Sequence, residues 1–218
     1  MMPKTKICGI TNEDDLVASI ECGANYVGFI VDISVESHRQ ISPEFANELV
    51  SKVPPGVTTT MVTILEEVDR TLDFFEQVGA DALQIHGNFT LDVIQKVSDS
   101  IDGKLIVSVD PNTTISNQLE GIVNAALCDS QREKGAGGTG KITDWESVRE
   151  FREAAKLPVI LAGGLTPQNV SHAVKLVKPF AVDVASGVEG PNGLKDHSAI
   201  REFITNVHKV KGGNDEFI

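Results

Sequence analysis

The chain has 218 residues, of which 41% are hydrophobic, and it carries a net charge of −12 at pH 7. This length and composition suit one large domain whose core needs no disulfide or metal for stability. The acidic balance argues against a nucleic-acid partner, because phosphate backbones are bound by clusters of Lys and Arg. An anionic small-molecule substrate would therefore depend on backbone N–H groups in glycine-rich loops and at helix N-termini.

The N-terminal segment and the cysteines predict a soluble, cytoplasmic protein. Residues 1–6 run directly into a predicted strand, which leaves no room for a signal peptide. No apolar run approaches the roughly 20 residues that a membrane span requires, so we expect no membrane partner. The three cysteines, Cys8, Cys22 and Cys128, form no CxxC motif and are odd in number, as expected of reduced thiols in a cytosol.

Apolar segments of strand length alternate with segments of helical period along the chain. The predicted strands are 6–9, 26–31, 57–64, 82–86, 105–109, 125–129, 159–162 and 181–184. The predicted helices are 14–22, 43–53, 67–78, 91–101, 146–155, 167–177 and 197–208. Start signals support several helices, for example Ser42-Pro43 and Thr166-Pro167, which place a capping oxygen and a proline at a first turn. A helix in 111–122 is predicted only because strands and helices alternate along the rest of the chain.

Eight strand and helix units in about 200 residues favour an α/β fold of the (β/α)8 barrel type, the TIM barrel, over an open doubly wound sheet. We expect residues 1–211 to form this single barrel, because no Pro-, Gly- or Ser-rich linker divides them. Residues 212–218 are predicted to be a C-terminal tail. The functional groups of such a barrel would lie on the loops that follow the strands.

A thiol and a carboxyl end two distant strands of this pattern. Cys8 ends the first predicted strand and Asp129 ends the sixth, so a barrel would bring them to one mouth, where they are candidates for a base and an acid. Each also has a plain structural explanation: a small buried hydrophobic residue for Cys8 and a turn residue for Asp129. A base would require thiolate character, which Lys6 would support if its side chain points into the mouth. Strand alternation predicts that Cys128 faces the opposite side and packs in the core.

Two strands in succession end in small-residue turns, at the positions of strands seven and eight of a barrel. Gly163 and Gly164 follow one of them, and Ala185, Ser186 and Gly187 follow the other. Loops at these positions of a barrel frequently bind phosphate, because turns without large side chains let backbone N–H groups approach the anion. The alternative is that the glycines merely close tight turns. Two such loops at the expected place favour a phosphate-binding barrel.

Five motifs in a fixed order carry a resemblance to a known family. They are KICGIT at residues 6–11, QIHG at 84–87, GGTGK at 137–141 followed by Asp144-Trp145, ILAGGL at 160–165 with Gln168-Asn169-Val170, and AVDVASGVEG at 181–190. Together they resemble phosphoribosylanthranilate isomerase, the enzyme of tryptophan biosynthesis, over residues 6–203. No single motif is decisive, whereas their joint order is highly specific.

The resemblance implies an Amadori rearrangement, in which N-(5-phosphoribosyl)anthranilate becomes a 1-deoxyribulose 5-phosphate without a cofactor. An acid protonates the ring oxygen, and a base then removes the proton from carbon 2 of the opened sugar. Matched to the family's motifs, Cys8 takes the position of the general base and Asp129 that of the general acid. We expect a small phosphorylated substrate, no bound metal, and a monomer or a homodimer.

The resemblance also suggests two substrate-binding residues. Arg39 falls where the family has an arginine on the loop after strand two, and its guanidinium could pair with the anthranilate carboxylate or stack on the ring. His86 ends strand four near the mouth and is either a polar ligand of the substrate or a structural histidine. The remaining histidines show no metal-ligand spacing and are assigned no chemistry. Trp145, at the start of a helix, is expected to pack.

The departures from the family pattern are mainly in segments expected to surround the aromatic amine of the substrate. The loop after strand two lacks an aromatic residue and a Pro-Lys-Ser turn, and Gln40 replaces a frequent tyrosine. Strand three lacks the usual Gly-Val-Phe-Val-Asn, and Ala185 stands where serine is frequent. These departures indicate a divergent branch of the family, and they leave a different amine substrate open.

Two other interpretations of the sequence remain open. One is another phosphate-binding barrel, such as a ribonucleotide isomerase of histidine synthesis or an indole-glycerol phosphate synthase. The former would use aspartates at both catalytic strand ends and the latter a lysine and glutamate set, so Cys8 with Asp129 counts against both. The other is a non-catalytic phosphosugar-binding paralogue, which would retain the glycine loops and lose the acid or the base.

Overall fold

A computed structural model describes residues 2–112, 118–129 and 144–210 of the chain. Eight parallel strands close into a barrel in chain order, and the last strand pairs with the first. The strands are β1 (Lys4–Cys8), β2 (Tyr26–Ile30), β3 (Thr58–Ile64), β4 (Ala82–His86), β5 (Lys104–Val109), β6 (Ala125–Cys128), β7 (Val159–Leu161) and β8 (Ala181–Val184). The predicted TIM barrel is confirmed, and every predicted strand lies within two residues of its predicted bounds.

Helices pack around the outside of the barrel. They are α1 (Glu13–Glu21), α2 (Pro43–Val50), α3 (Val68–Val78), α4 (Leu91–Ser100), α5 (Trp145–Ala154), α6 (Val170–Val177) and α7 (His197–His208). No α-helix occurs in 110–112 or 118–124, so the helix predicted over 111–122 is absent from the part of it that the structure describes. Residues 113–117 and the predicted tail, 212–218, lie outside the described residues.

Two helices differ from their predicted bounds for identifiable reasons. Helix α2 ends at Val50 instead of residue 53, because Pro54 disfavours a helical conformation in the residue before it. Helix α6 begins at Val170 instead of residue 167. The Asn169 side chain accepts a hydrogen bond from the Thr166 backbone N–H at 2.8 Å and donates to the Gly164 carbonyl at 2.8 Å, which forms a turn ahead of the helix.

Side-chain capping starts most of the helices as the sequence predicts. Asn12 accepts a hydrogen bond from the Asp15 backbone N–H at the start of α1, and Ser42 accepts one from Phe45 at the start of α2. Asp144 does the same at the start of α5. Such caps satisfy backbone N–H groups that have no partner within the helix. They fix where each loop above the barrel ends.

The side chains inside the barrel divide it into an apolar and a polar half. The apolar side chains come mostly from β5, β6 and β7, and they include Ile106, Leu127 and Ile160. The opposite half contains four buried polar side chains, which are Lys6 on β1, Thr60 on β3, Gln84 on β4 and Asp183 on β8, and the buried Ser108 on β5 lies beside the apolar group. Burial of polar groups costs free energy unless they have partners, so a polar half of a barrel interior indicates functional groups nearby.

Candidate active site

A cavity of about 160 Å³ opens at the carboxyl ends of the strands. It contains every residue that the sequence singled out for the site: Cys8, Arg39, His86, Asp129, Gly163, Gly164, Ala185, Ser186 and Gly187. Gln84 and Asp183, which rise from the polar half of the barrel interior, also line it. The fold therefore brings the candidate base, acid, arginine and glycine loops into one enclosed space.

Two larger clefts lie elsewhere on the surface. One, of about 1130 Å³, is formed by the loops that precede β3, β4 and β5, at the amino ends of the strands. The other, of about 550 Å³, lies outside the barrel beside the loop after β2. Catalytic groups of TIM barrels gather at the carboxyl ends of the strands, so the smaller cavity at that end is the candidate active site.

A buried ion pair lies directly beneath Cys8. The Lys6 ammonium donates to both carboxylate oxygens of Asp183, at 3.1 and 3.2 Å, and both residues are less than a tenth exposed. The two residues are register partners across the β1–β8 seam. Gly28 leaves room for this arrangement, because a Cβ there would lie 2.9 Å from Cys8 Sγ and 3.1 Å from Lys6 Nζ. The Lys6 side chain thus lies inside the barrel, beneath the mouth and beside Cys8.

The ion pair and burial act on the Cys8 thiol in opposite directions. Burial raises the pKa of Cys8, whereas the positive charge of Lys6 lowers it, and burial is the larger effect. Burial also lowers the pKa of Lys6, but the charges of Asp183 and Cys8 together raise it above its usual value. Lys6 therefore stays charged next to Cys8, and the thiol is mostly protonated at neutral pH.

Asp129 follows the last residue of β6 and lies at the cavity, across the mouth from β1. Its neighbour Cys128 is fully buried in the core between the strands and the helices, as strand alternation predicts. Trp145 is also buried there, with its ring edge-on to His172 at a centroid distance of 5.4 Å. Packing therefore accounts for Cys128 and Trp145.

Arg39 reaches the cavity from the loop after β2 and is bound on one edge by Glu189. Its Nε and Nη2 atoms donate to the two carboxylate oxygens of Glu189, each at 2.7 Å. The stem of Arg39 lies over Gly9, where a Cβ would be 2.8 Å from Arg39 Cδ, and the φ of +73° at Gly9 also favours glycine. Two loops thus fix the arginine side chain.

Glu189 is also bound by a second cation, Lys195. Lys195 Nζ donates to Glu189 Oε1 at 2.8 Å and to the Ala185 carbonyl at 3.1 Å, and the Lys195 side chain is 1% exposed. Burial of the Glu189 carboxyl raises its pKa, but the hydrogen bonds from Arg39 and Lys195 outweigh burial and lower the pKa to about 2. Glu189 is therefore ionised at neutral pH.

The two glycine loops touch each other above β7 and β8. A Cβ on Gly187 would lie 1.8 Å from the carbonyl oxygen of Leu165, so only glycine fits there. Gly163 and Gly164 both have positive φ, of 85° and 63°, a conformation that side chains disfavour. The hydrogen bonds of Asn169 hold this turn in place. The close contact forms a continuous backbone wall on one side of the cavity.

His86 lies at the end of β4 beside Gln84. The His86 Nε2 and Gln84 Nε2 atoms are 2.8 Å apart, so the amide positions one ring nitrogen of the histidine. The Gln84 side chain is 1% exposed and points from the barrel interior toward the cavity. This contact orients the ring and fits either of the roles that the sequence left open.

The divergent loop after β2 has its own set of supporting contacts. Asp32 has a φ of 51°, which is uncommon for a residue with a side chain, and its carboxylate pairs with Arg70 on α3. Thr63 on β3 donates to the Asp32 carbonyl at 2.8 Å, and Gln40 accepts from the Ile33 backbone N–H at 3.2 Å. The unusual residues of this loop and of β3 therefore bind one another.

Sequence reasoning missed Asp183, Glu189, Lys195 and Gln84 as site residues. A signal existed for the first two, because each is a charged residue inside the motif at 181–190, where its neighbours are small or apolar. Lys195 has no signal beyond its position shortly before α7. The GGTGK motif at 137–141 lies outside the described residues. Within the described ranges, no three His, Cys, Asp or Glu side chains are grouped to hold a metal ion.

The closed parallel barrel and the cavity at the carboxyl ends of its strands are typical of a TIM-barrel enzyme, and comparison with known proteins gives the family. A family model described as N-(5'-phosphoribosyl)anthranilate (PRA) isomerase matches residues 5–206. The N-(5'-phosphoribosyl)anthranilate isomerase of Natronomonas pharaonis is 43% identical over 203 residues, which are 93% of this chain and 97% of the relative. The Haloferax volcanii enzyme is 42% identical over 215 residues, or 99% and 97% of the two chains.

Solved structures agree with this assignment. The crystal structure of phosphoribosylanthranilate isomerase from Thermotoga maritima is 37% identical and superposes with a TM-score of 0.80, covering 95% of this chain and all of the other. A phosphoribosylanthranilate isomerase in complex with reduced 1-(o-carboxyphenylamino)-1-deoxyribulose 5-phosphate is 35% identical, with a TM-score of 0.79 and the same coverage.

The chain therefore belongs to the N-(5'-phosphoribosyl)anthranilate isomerase family, and its activity is the isomerisation of phosphoribosylanthranilate in tryptophan biosynthesis. Family membership argues against the two alternative enzymes, the ribonucleotide isomerase of histidine synthesis and the indole-glycerol phosphate synthase. No helix in the described part of the chain is long and apolar enough to cross a membrane.

The depressed pKa of Glu189 predicts how stability changes with pH. Its ionised form stabilises the fold above the usual carboxyl pKa of 4.5, and this contribution is lost as the pH falls toward about 2. We expect the free energy of unfolding of Glu189→Gln to be lower than wild type by about 3 kcal/mol at neutral pH. The difference should shrink in urea titrations at successively lower pH. The exposed Glu153→Gln is the control, and a difference that does not change with pH would contradict the assignment.

Proposed function

We propose that Cys8 is the general base and Asp129 the general acid of this isomerisation. The observation that carries the proposal is that the two side chains line one cavity from the ends of β1 and β6, together with Arg39 and both glycine loops. A thiol and a carboxyl placed on opposite sides of one substrate can act on two different atoms of it. The reaction begins with proton transfers at two atoms, the ring oxygen and carbon 2, and an isomerisation requires no net oxidation or reduction.

The chemistry follows in two stages. Asp129 in its protonated form donates to the ribose ring oxygen, the bond between carbon 1 and this oxygen breaks, and the nitrogen lone pair forms a Schiff base. Cys8 as thiolate then removes the proton from carbon 2. The electron pair of that C–H bond forms the double bond of an enaminol, which takes a proton at carbon 1 and loses the hydroxyl proton to give the ketone. Each proton taken up is matched by one released.

Lys6 and Asp183 support the Cys8 step. Thiolate is the reactive form of cysteine, and burial makes it a minor species at neutral pH. The Lys6 ammonium lies close enough to favour the thiolate, and Asp183 holds Lys6 charged and in place. Because the pair is buried and formed before substrate arrives, its stabilisation of developing charge requires little reorganisation.

We propose that the substrate lies across the mouth from β8 to β2. The backbone wall formed by Gly163, Gly164, Ala185, Ser186 and Gly187 would bind the phosphate, since turns without large side chains expose N–H groups to an anion. Arg39 would bind the anthranilate carboxylate, as its guanidinium matches a carboxylate in charge and geometry. His86 would contact the substrate between these ends.

Three further points belong to this proposal. We place the enzyme in the cytoplasm, because a base thiol must stay reduced and Cys8, Cys22 and Cys128 are all free.

We take residues 1–211 as one domain that acts as a monomer or a homodimer. A dimeric phosphoribosylanthranilate isomerase is known from Thermotoga maritima, which supports the second state without excluding the first.

Replacement of either reactive group should abolish turnover while substrate binding persists. We expect Cys8→Ala and Asp129→Asn each to lower kcat by about 10²- to 10⁴-fold, because each removes one of the two proton transfers. The measurement is the loss of anthranilate fluorescence on mixing purified protein with fresh phosphoribosylanthranilate. Cys22→Ser is the control, since it removes a thiol far from the cavity and should retain wild-type kcat. Near-normal turnover in either active-site variant would contradict its role.

A side chain at Gly187 should disrupt phosphate binding. In Gly187→Ala the new methyl would overlap the Leu165 carbonyl, so the two loops must separate and the backbone wall must open. We expect KM for the phosphorylated substrate and the inhibition constant of inorganic phosphate both to rise about tenfold or more. Gly190→Ala is the matched control, because its Cβ would meet the end of the Asn192 side chain at 3.2 Å and the Leu194 carbonyl oxygen at 3.9 Å, without overlap. Unchanged phosphate inhibition in Gly187→Ala would contradict the assignment of these loops.

A further inference from the structure

Glu189 is the centre of a buried charge cluster that the two proton transfers do not use. It accepts two hydrogen bonds from Arg39 and one from Lys195, and it is only 8% exposed. The His38 imidazole also lies near the cluster, with its Nε2 atom 3.6 Å from Glu189 Oε2, and it is half-exposed. Lys195 is buried and Arg39 is 20% exposed, so two cations flank one carboxylate beside the cavity. In a chain with a net charge of −12, Arg39 is a cation that lines the cavity and can attract an anionic substrate.

The cluster also connects two of the loops above the barrel with helix α1. Arg39 belongs to the loop after β2, whereas Glu189 and Lys195 belong to the loop after β8 and form a bridge with each other. The Lys195 ammonium reaches the Ala185 carbonyl at the start of the second glycine loop. The Lys195 backbone N–H donates to Asp15 on α1, the helix that follows Cys8. Through Arg39 and the Ala185 carbonyl, the cluster therefore contacts both sides of the cavity.

The geometry at Arg39 determines which edge of its guanidinium faces a ligand. A guanidinium has a side edge, formed by Nε and one Nη, and an end edge, formed by its two Nη atoms. Glu189 occupies the side edge at 2.7 Å on both atoms. The end edge is then the one that can take a second carboxylate in the same plane. Glu189 thus sets the orientation of Arg39 before any substrate binds.

We propose that Glu189 and Lys195 are positioning residues, which fix Arg39 for the substrate carboxylate and join the carboxylate side of the site to the phosphate loop. This inference rests on the function proposed above. Glu189 acts on the carboxylate end through Arg39, and Lys195 acts on the phosphate end through the Ala185 carbonyl. Neither residue takes part in proton transfer.

The test pairs a protein variant with a substrate variant. Turnover of phosphoribosylanthranilate is compared with turnover of the corresponding phosphoribosylaniline, which lacks the carboxylate. For Glu189→Gln we expect kcat/KM to fall by about 10- to 100-fold with the first substrate, mainly through KM, and to change by less than about threefold with the second. The matched control Glu153→Gln, an exposed glutamate, should change neither value. An equal loss with both substrates would overturn the proposal, because a merely structural role does not depend on the carboxylate.

Inorganic phosphate as a competitive inhibitor tests the other half of the cluster. Lys195→Met keeps most of the side-chain volume and removes the bond to the Ala185 carbonyl, so we expect the inhibition constant of phosphate to rise about tenfold. In Glu189→Gln that bond persists and the constant should be unchanged. The same constant in Lys195→Met as in wild type would overturn the link to the phosphate loop.

Two further measurements keep the test decisive. If Glu189→Gln does not fold, Glu189→Asp retains the charge and withdraws it by one methylene. This variant should show a smaller loss of kcat/KM that is again specific to the carboxylated substrate.

If the wild type turns over neither substrate, the proposed function fails. The positioning role is then tested by calorimetric binding of anthranilate and phosphate to the same variants, and equal affinities throughout would overturn it.

Discussion

The ion pair between Lys6 and Asp183 sits at the seam where the barrel closes, and the arrangement of the active site depends on it. The two residues are neighbours across β1 and β8, and both are buried inside the barrel. Removal of one partner of such a pair typically costs about 3–5 kcal/mol, because the other charge is left buried and unpaired. The same pair places a positive charge beside Cys8. The interaction that satisfies the polar half of the barrel interior thus also provides the electrostatic environment of the base.

A second buried cluster, around Glu189, organises the rim in the same way. One carboxylate holds two cations from different loops, and each cation is placed at a different end of the cavity. Between them the glycine loops meet so closely that Gly187 cannot carry a side chain. The site is therefore built from fixed charges and from backbone positions that the barrel closure determines. In an acidic protein, this arrangement places the Arg39 guanidinium at the cavity, where an anionic substrate would bind.

The sequence predicted the barrel and the position of its mouth, because both follow from local patterns. Alternation placed Cys8 and Asp129 at strand ends and Cys128 in the core, and the cap at Ser42 marked the start of a helix. The start of α6 was wrong because a side-chain turn at Asn169 precedes it, a feature that resembles a helix start in sequence. Partners that lie far apart in the chain leave no local pattern: Lys6 meets Asp183 across 177 residues, and Arg39 meets Glu189 across 150. Only the closed barrel shows that these charges meet.

The Lys6 and Asp183 pair favours the thiolate of Cys8, and a titration of this thiol measures the effect. Thiolate formation is followed by ultraviolet absorbance, with the matching Cys8→Ala protein subtracted, in wild type and in the double variant Lys6→Met with Asp183→Asn. The double variant leaves no unpaired buried charge. We expect its thiolate to form at higher pH than in wild type, because Lys6 lowers the pKa of Cys8 more than Asp183 raises it. A midpoint that is unchanged or lower would show that the pair does not stabilise the thiolate.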